Sequence, residues 1–278
     1  MKNVLLASAL GVGLAFGFAG VAKAVVAFNQ NVTPDVIFGT GGNVNGFFTT
    51  DRRNGIELGI RAKNRETFTF NSNGDGTYDH ISTESLGPPP ADRWSYEWTV
   101  NTDYLGTSGL KINDFTYELG LDGDPGPGTN FMKFDPITPT ARHWDHSFGD
   151  NTFVGNTGLE ANPNIAGTAP IYVGYMDTFN VLQQSWRYDF NPYPPLNAHN
   201  LAIPGTYAVY LLARDSMGKV VARVDIQVLV DGARAVVQPK NKKECKHGGW
   251  RNPSFYPAFT SKHDCEESIE KDDDDDHD

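Results

Sequence analysis

The stretch from Pro204 to Val230, PGTYAVYLLARDSMGKVVARVDIQVLV, constrains the fold more than any other part of this chain. Two apolar, alternating runs flank a short polar turn, a pattern that predicts an antiparallel hairpin. In the second run Val220, Ala222, Val224, Ile226, Val228 and Val230 share one face, and Arg223, Asp225 and Gln227 share the other, because side chains alternate across a strand. In the first run Tyr207, Val209, Leu211 and Ala213 form one face, while Tyr210 and Leu212 keep the opposite face partly apolar. Asp215-Ser216-Met217-Gly218-Lys219 supplies the turn: a carboxylate to accept backbone N–H groups and a glycine free to take positive φ. A hairpin with so apolar a face requires a second sheet to cover it.

Short strand-like runs separated by turn residues recur before it: Val36–Gly39, Gly46–Thr50, Ile56–Arg61, Thr67–Asn71, Trp94–Asn101, Phe115–Leu121 and Ser185–Phe190. Trp94, Tyr96, Trp98 and Val100 fall on one face of their run, as do Phe115, Tyr117, Leu119 and Leu121 of theirs. These stripes read as core, and the whole reads as an all-β chain, a β-sandwich of jelly-roll or immunoglobulin-like type. Residues 134–174 lack periodicity and read as long loops, and residues 180–186 read as a short helical turn entering a strand. Glu97 reads as a solvated strand carboxylate opposite the aromatics.

The ends differ from this body. Lys2, a small and apolar run to Val21, and Ala22-Lys23-Ala24 predict a signal peptide over residues 1–24. The expected domains are then the sandwich body at 25–231, a linker at 232–243, a Cys-pair module at 244–266 and an acidic, disordered tail at 267–278. Of the net charge of −11, most sits at this end, since residues 264–278 hold ten acids and one lysine. The nearly neutral body shows no basic cluster with interleaved aromatics, which argues against nucleic acid as a partner. Past residue 24 no run is long and apolar enough to cross a membrane. Cys245 and Cys265 are the two cysteines, and in an exported chain they predict a disulfide stapling a segment too small to fold by its core. Metal binding by Cys245, His247, His263 and Cys265 is the alternative, with spacings unlike those of zinc sites.

Two resemblances follow from these residues. IPGTYAVYLLARDSMGKVVARVDIQVLV resembles the last two strands of bacterial extracellular immunoglobulin-like modules of the PKD-like and cadherin-like kind. VTPDVIFGTGGNVNGFFTTDRRNGIELGIRAKNR, with WSYEWTVNTD, YELGLDGDPGPGTNF and SWRYDF, resembles secreted bacterial proteins that often end in a PEP-CTERM surface-sorting anchor. Here KKECKHGGWRNPSFYPAFTSKHDC, similar to a Cys-pair tail of some secreted bacterial proteins, stands in the anchor's place. The resemblances imply a secreted, extracellular or periplasmic location, with release or loose attachment to the cell surface, and bring no activity.

No nucleophile elbow, HExxH, P-loop or dinucleotide fingerprint occurs. Asn71-Ser-Asn73-Gly-Asp75-Gly-Thr-Tyr-Asp79 carries oxygen side chains at positions 1, 3, 5 and 9 and Gly at position 6, the first half of an EF-hand calcium loop. Its position 12 is Ser82, and the alternative is an ordinary turn. Asp122 and Asp124 form a second calcium candidate, and His143, Asp145, His146 and Asp150 a transition-metal one. The expected role is a non-enzymatic structural or interaction protein, stabilised by calcium, whose partner is an extracellular polymer or surface protein. A carbohydrate-binding module using Trp144, Trp186 and Trp250 is the second reading. A polysaccharide hydrolase with two facing carboxylates is the third. A cation-attracting role for Asp272–Asp278 is the fourth.

Overall fold

The computed structural model describes residues 25–39, 43–65, 67–81, 94–124, 126, 129–137, 146–162, 169–188, 204–233, 239–251, 261–263, 265, 266 and 269. The expected signal peptide, Trp144 and the Asp272–Asp278 tail lie outside these residues. Among the described residues twelve strands form two sheets. The larger has the order β1 (Val25–Gln30), β2 (Phe48–Arg53), β3 (Ile56–Asn64), β5 (Trp94–Asn101), β10 (Val181–Arg187), β8 (His146–Gly149), β9 (Leu159–Ala161). The smaller runs β4 (Thr77–His80), β12 (Val220–Val230), β11 (Gly205–Arg214), β6 (Thr116–Asp122), β7 (Phe131–Phe134). All described pairings are antiparallel except β4 with β12. The chain is an all-β sandwich.

The expected hairpin is β11–β12, paired from Gly205↔Val230 to Arg214↔Val220. Its turn works as the sequence predicts: Asp215 Oδ1 accepts the N–H groups of Met217 at 2.9 Å and Lys219 at 3.0 Å. Gly218 sits at φ +79°. Tyr207, Val209, Leu211 and Ala213 face Trp94, Tyr96, Trp98 and Val100 across one core. Trp98 meets Trp186 edge-on at 5.3 Å, and Trp94 stacks on Tyr188 at 4.4 Å. On one side the sheets are laced by polar groups. Asp51 of β2 accepts the Arg223 N–H of β12 at 2.9 Å, and Tyr78 of β4 donates to the Phe47 carbonyl at 2.6 Å.

Three local expectations need correction. Residues 181–187 form a central strand, hydrogen-bonded to β5 on one side and β8 on the other; burial between two neighbours overrides its weak local pattern. Residues 134–174 contain β8, β9 and the start of helix α1 (Ala169–Thr178). That helix lays Tyr172 and Met176 into the core, where Tyr172 meets Phe148 at 5.0 Å and His146 at 5.5 Å. Neither Val36–Gly39 nor Thr67–Asn71 is a strand. The former belongs to an irregular crossing, residues 31–39 and 43–47, over the outer face of the larger sheet. Irregular backbone has polar groups that must find partners when covered. The outward positions of the sheet supply them: Glu57 accepts from Thr33 N–H at 2.7 Å, and Gln183 accepts from Ile37 N–H and donates to the Asp35 carbonyl, both at 2.8 Å. Asn101 donates to the Thr33 carbonyl at 2.9 Å.

Cys245, at the end of the short helix α2 (Lys242–Cys245), is bonded to Cys265 as expected. Both are buried, with Trp250 and Ile269 packed against them. Sulfurs joined to each other are not thiolate ligands, so the Cys/His metal alternative is excluded while the bond stands. Reducing it, or Cys265→Ser, is expected to cost this module roughly 3 kcal/mol. Limited proteolysis should then cut within residues 239–269 while the body stays intact; unchanged resistance would show that the bond is not what holds the module.

Candidate functional site

On the outer face of β3, Arg61 and Lys63 lie two residues apart, and Glu97 of β5 stands directly opposite Arg61. Arg61 and Glu97 are both fully buried. Arg61 Nε donates to Glu97 Oε2 at 2.7 Å and Nη2 approaches the same oxygen at 2.5 Å. Lys63 Nζ pairs with Glu97 Oε1. Arg61 Nη1 also donates to the carbonyls of Val44 at 2.8 Å and Gly46 at 2.7 Å. Glu97 is therefore no solvated strand acid. The covering loops exclude water, and two cations on the neighbouring strand make its burial tolerable.

Burial alone would raise the Glu97 carboxyl, but the Arg61 guanidinium and Lys63 ammonium outweigh it and hold it below the usual carboxylate range. Burial pulls both cations down, against the opposing pull of Glu97. One acid against two bases leaves a positive charge beneath the surface.

Aromatic rings roof these charges. The Arg61 guanidinium lies 4.2 Å from the Phe48 ring centre and 4.1 Å from that of Phe70. Lys63 Nζ lies 5.0 Å from the centre of Phe68. Phe47 stacks on Phe70 at 5.4 Å with the rings 4° from parallel. Such cation–ring contacts contribute about 2 kcal/mol when desolvated. Outward, the same groups form an apolar patch: Phe68 is 60% exposed, Val44 50% and Phe47 41%.

Both exposed phenylalanines occupy left-handed backbone, Phe47 at φ +61° and Phe68 at φ +56°. For a bulky side chain this costs on the order of 1–3 kcal/mol each and persists only where the surroundings over-determine it. Here they do. The Gly46 and Phe47 carbonyls are held by Arg61 and Tyr78, and Asn64 N–H donates to the Thr69 carbonyl at 2.9 Å. The result is a rigid apolar surface backed by charge, suited to contact.

The sequence-derived candidates fall elsewhere. Trp186 is 4% exposed, packed among Tyr96, Trp98, Phe134 and His146, and so cannot serve as a ligand platform. Trp250 is half-buried against the disulfide. Asn71–Asp79 forms a tight turn that uses its own side chains. Asp75 Oδ1 accepts from Thr77 N–H at 3.0 Å and Thr77 Oγ1 at 2.7 Å; Asn73 Nδ2 donates to Thr77 Oγ1 at 3.0 Å. Asn71 offers its backbone carbonyl to Asp79 N–H, and the Asp79 side chain faces solvent.

Asp122 Oδ1 accepts from Asp124 N–H at 3.1 Å and Asn130 N–H at 2.8 Å, while Asp124 Oδ1 accepts from Gly126 N–H at 2.8 Å. Among the described residues no three His, Cys, Asp or Glu side chains gather as metal ligands. His143 and Asp145 lie outside the described residues. His146 is in the core, pushed down to about 3 by burial, with Tyr172 Oη 2.8 Å from its Nδ1.

Sequence reasoning missed the Phe47–Phe68–Phe70 patch because these residues sit in irregular segments, where periodicity carries no information. The one available signal was the Arg61/Lys63 alternation on a strand whose other face is apolar. No protein-family model matches the chain, and no curated protein is significantly similar to it.

Proposed function

We propose that this chain is a secreted or surface-associated, non-enzymatic interaction protein that meets its partner through Phe47, Phe68 and Val44. The observation that carries this reading is the pair of exposed phenylalanines held in strained backbone over a buried ion cluster, since strain of this kind concentrates at ligand contacts. The carboxylates buried in the body support it from the other side. Asp51 is engaged by Arg53 and Arg223, Glu57 by Arg52 and Thr33, Glu97 by Arg61 and Lys63, Asp103 by the N–H groups of Thr107, Ser108 and Gly109, and Asp122 by those of Asp124 and Asn130. Each is used in holding the fold. The disulfide fits an oxidising compartment, and no helix among the described residues is long and apolar enough to cross a membrane. The hairpin's resemblance to extracellular modules points the same way.

The test replaces Phe68, and separately Phe47, with a photo-crosslinking phenylalanine analogue and irradiates the protein in its native extracellular milieu. Met217, 83% exposed in the β11–β12 turn, serves as the control position. Adducts at 68 and 47 that are absent at 217 are expected. A glycan in those adducts would favour the carbohydrate-binding reading at this new place. Equal labelling at all three positions would sink the proposal.

A further inference from the structure

Residues 61–70, RAKNRETFTF, hold three bases and one acid, and Glu97 adds a second acid to the group. The balance is one positive charge. Arg61 and Lys63 are buried beneath the phenylalanines. Arg65 is exposed in the turn that leads to Phe68, with its Nη1 3.3 Å from Ser95 Oγ. Charge under a low-dielectric cover is screened less than charge in water, so its field reaches the surface above it.

The rings pass this preference on. Lys63 Nζ is 5.0 Å from the centre of Phe68 and 5.9 Å from that of Phe70, and the Arg61 guanidinium is 4.1 Å from Phe70. An aromatic ring is negative on its faces and positive at its edge. Cations already sit against these faces, so a second cation approaching from outside is repelled by the first. A carboxylate meets positive ring edges over a positive ground.

A sugar fits this surface poorly. Its hydroxyls need partners wherever they are buried, and the side chains of Val44, Phe47 and Phe68 offer none. The hydroxyls of Thr67 and Thr69, beside Phe68, bond to each other. Phe47 and Phe70 lie ring against ring. Apolar side chains of a partner lose no hydrogen bond here.

We infer that the partner met by this surface, taken as proposed above, is a protein segment carrying Asp or Glu beside apolar side chains. Those apolar side chains cover Val44, Phe47 and Phe68, and the carboxylates lie towards Arg65. Complementary charge at the rim of a contact raises the association rate and makes it depend on salt.

A phage-displayed library of random dodecapeptides tests this, selected on the intact protein and counter-selected on Phe68→Gly. The peptides that survive are expected to combine Leu, Phe or Trp with Asp or Glu and to be depleted in Lys and Arg. Arg65→Glu and Lys63→Met each lower the positive charge while Arg61 keeps Glu97 paired. Each should weaken the enriched peptides by about fivefold or more, as should about 0.5 M salt. Surviving peptides without an acidic bias, or affinities unchanged in both variants, would overturn the inference and leave the contact surface standing. So would a library that yields no Phe68-dependent binder while photo-crosslinking at 47 and 68 succeeds, because the partner is then no peptide. Absence of those crosslinks would remove the contact surface and the inference together.

Discussion

Glu97→Gln is expected to lower the unfolding free energy by about 3–5 kcal/mol, because it leaves Arg61 and Lys63 buried without their counter-charge. The neutral amide fills nearly the same volume, so packing loss contributes little, and the effect reports the charge. The pH dependence gives a second reading. Glu97 has a folded pKa below its ordinary 4.5, so the folded state holds this proton less tightly than the unfolded state. Its contribution is present in full above the unfolded pKa and is lost as the pH falls through the folded one.

Glu57 and Asp122 run the other way. Burial raises both, so the folded state takes up their protons first and stability gains as the pH falls. Total stability mixes these opposing groups, whereas the difference between wild type and Glu97→Gln isolates the one carboxylate. Urea unfolding of both proteins should show that difference shrinking below about pH 4.5. A cost under about 1 kcal/mol at neutral pH, the range of an exposed pair, would mean that water reaches the cluster.

What could be read from the sequence follows from where periodicity applies. The β11–β12 hairpin, β5 and β6 were legible because alternation, turn chemistry and burial agree there. Gly120 shows how tight that agreement is: a Cβ at this position would lie 2.1 Å from the Tyr210 ring that packs over it. The Cys245–Cys265 bond was legible from composition alone.

The outer face of the larger sheet was not. Alternation assigns Arg61 and Glu97 to solvent, and only the crossing at residues 31–39 and 43–47 shows them to be covered. That crossing is held by side-chain-to-backbone bonds between residues such as Ile37 and Gln183, far apart in sequence. No local pattern encodes such a bond. Asn73, Asp75, Asp122 and Asp124 carry the oxygens that a cation needs, but these are also what a tight turn needs, and the turns use them.

Trp186→Ala is expected to cost about 3–5 kcal/mol, the range for deleting a large buried aromatic, and to lower the melting temperature by many degrees. Trp186 touches Tyr96, Trp98, Phe134 and His146 where β10 pairs with β5, and no neighbouring ring can fill its volume without leaving its own contacts. Phe68→Gly is the informative contrast. It removes an equally aromatic side chain that is largely exposed and relieves the left-handed strain, a gain of about 1–2 kcal/mol. Against this stand the lost contact with Lys63 and the greater freedom of glycine in the unfolded chain, about 0.5–1 kcal/mol. The two nearly cancel, so stability should change by less than about 1 kcal/mol while crosslinking at position 47 falls. Thermal melts of both variants therefore separate aromatics that build the fold from aromatics that serve a partner. If Phe68→Gly unfolded the protein as readily as Trp186→Ala, the patch would be a roof over the ion cluster and the proposed contact surface would lose its basis.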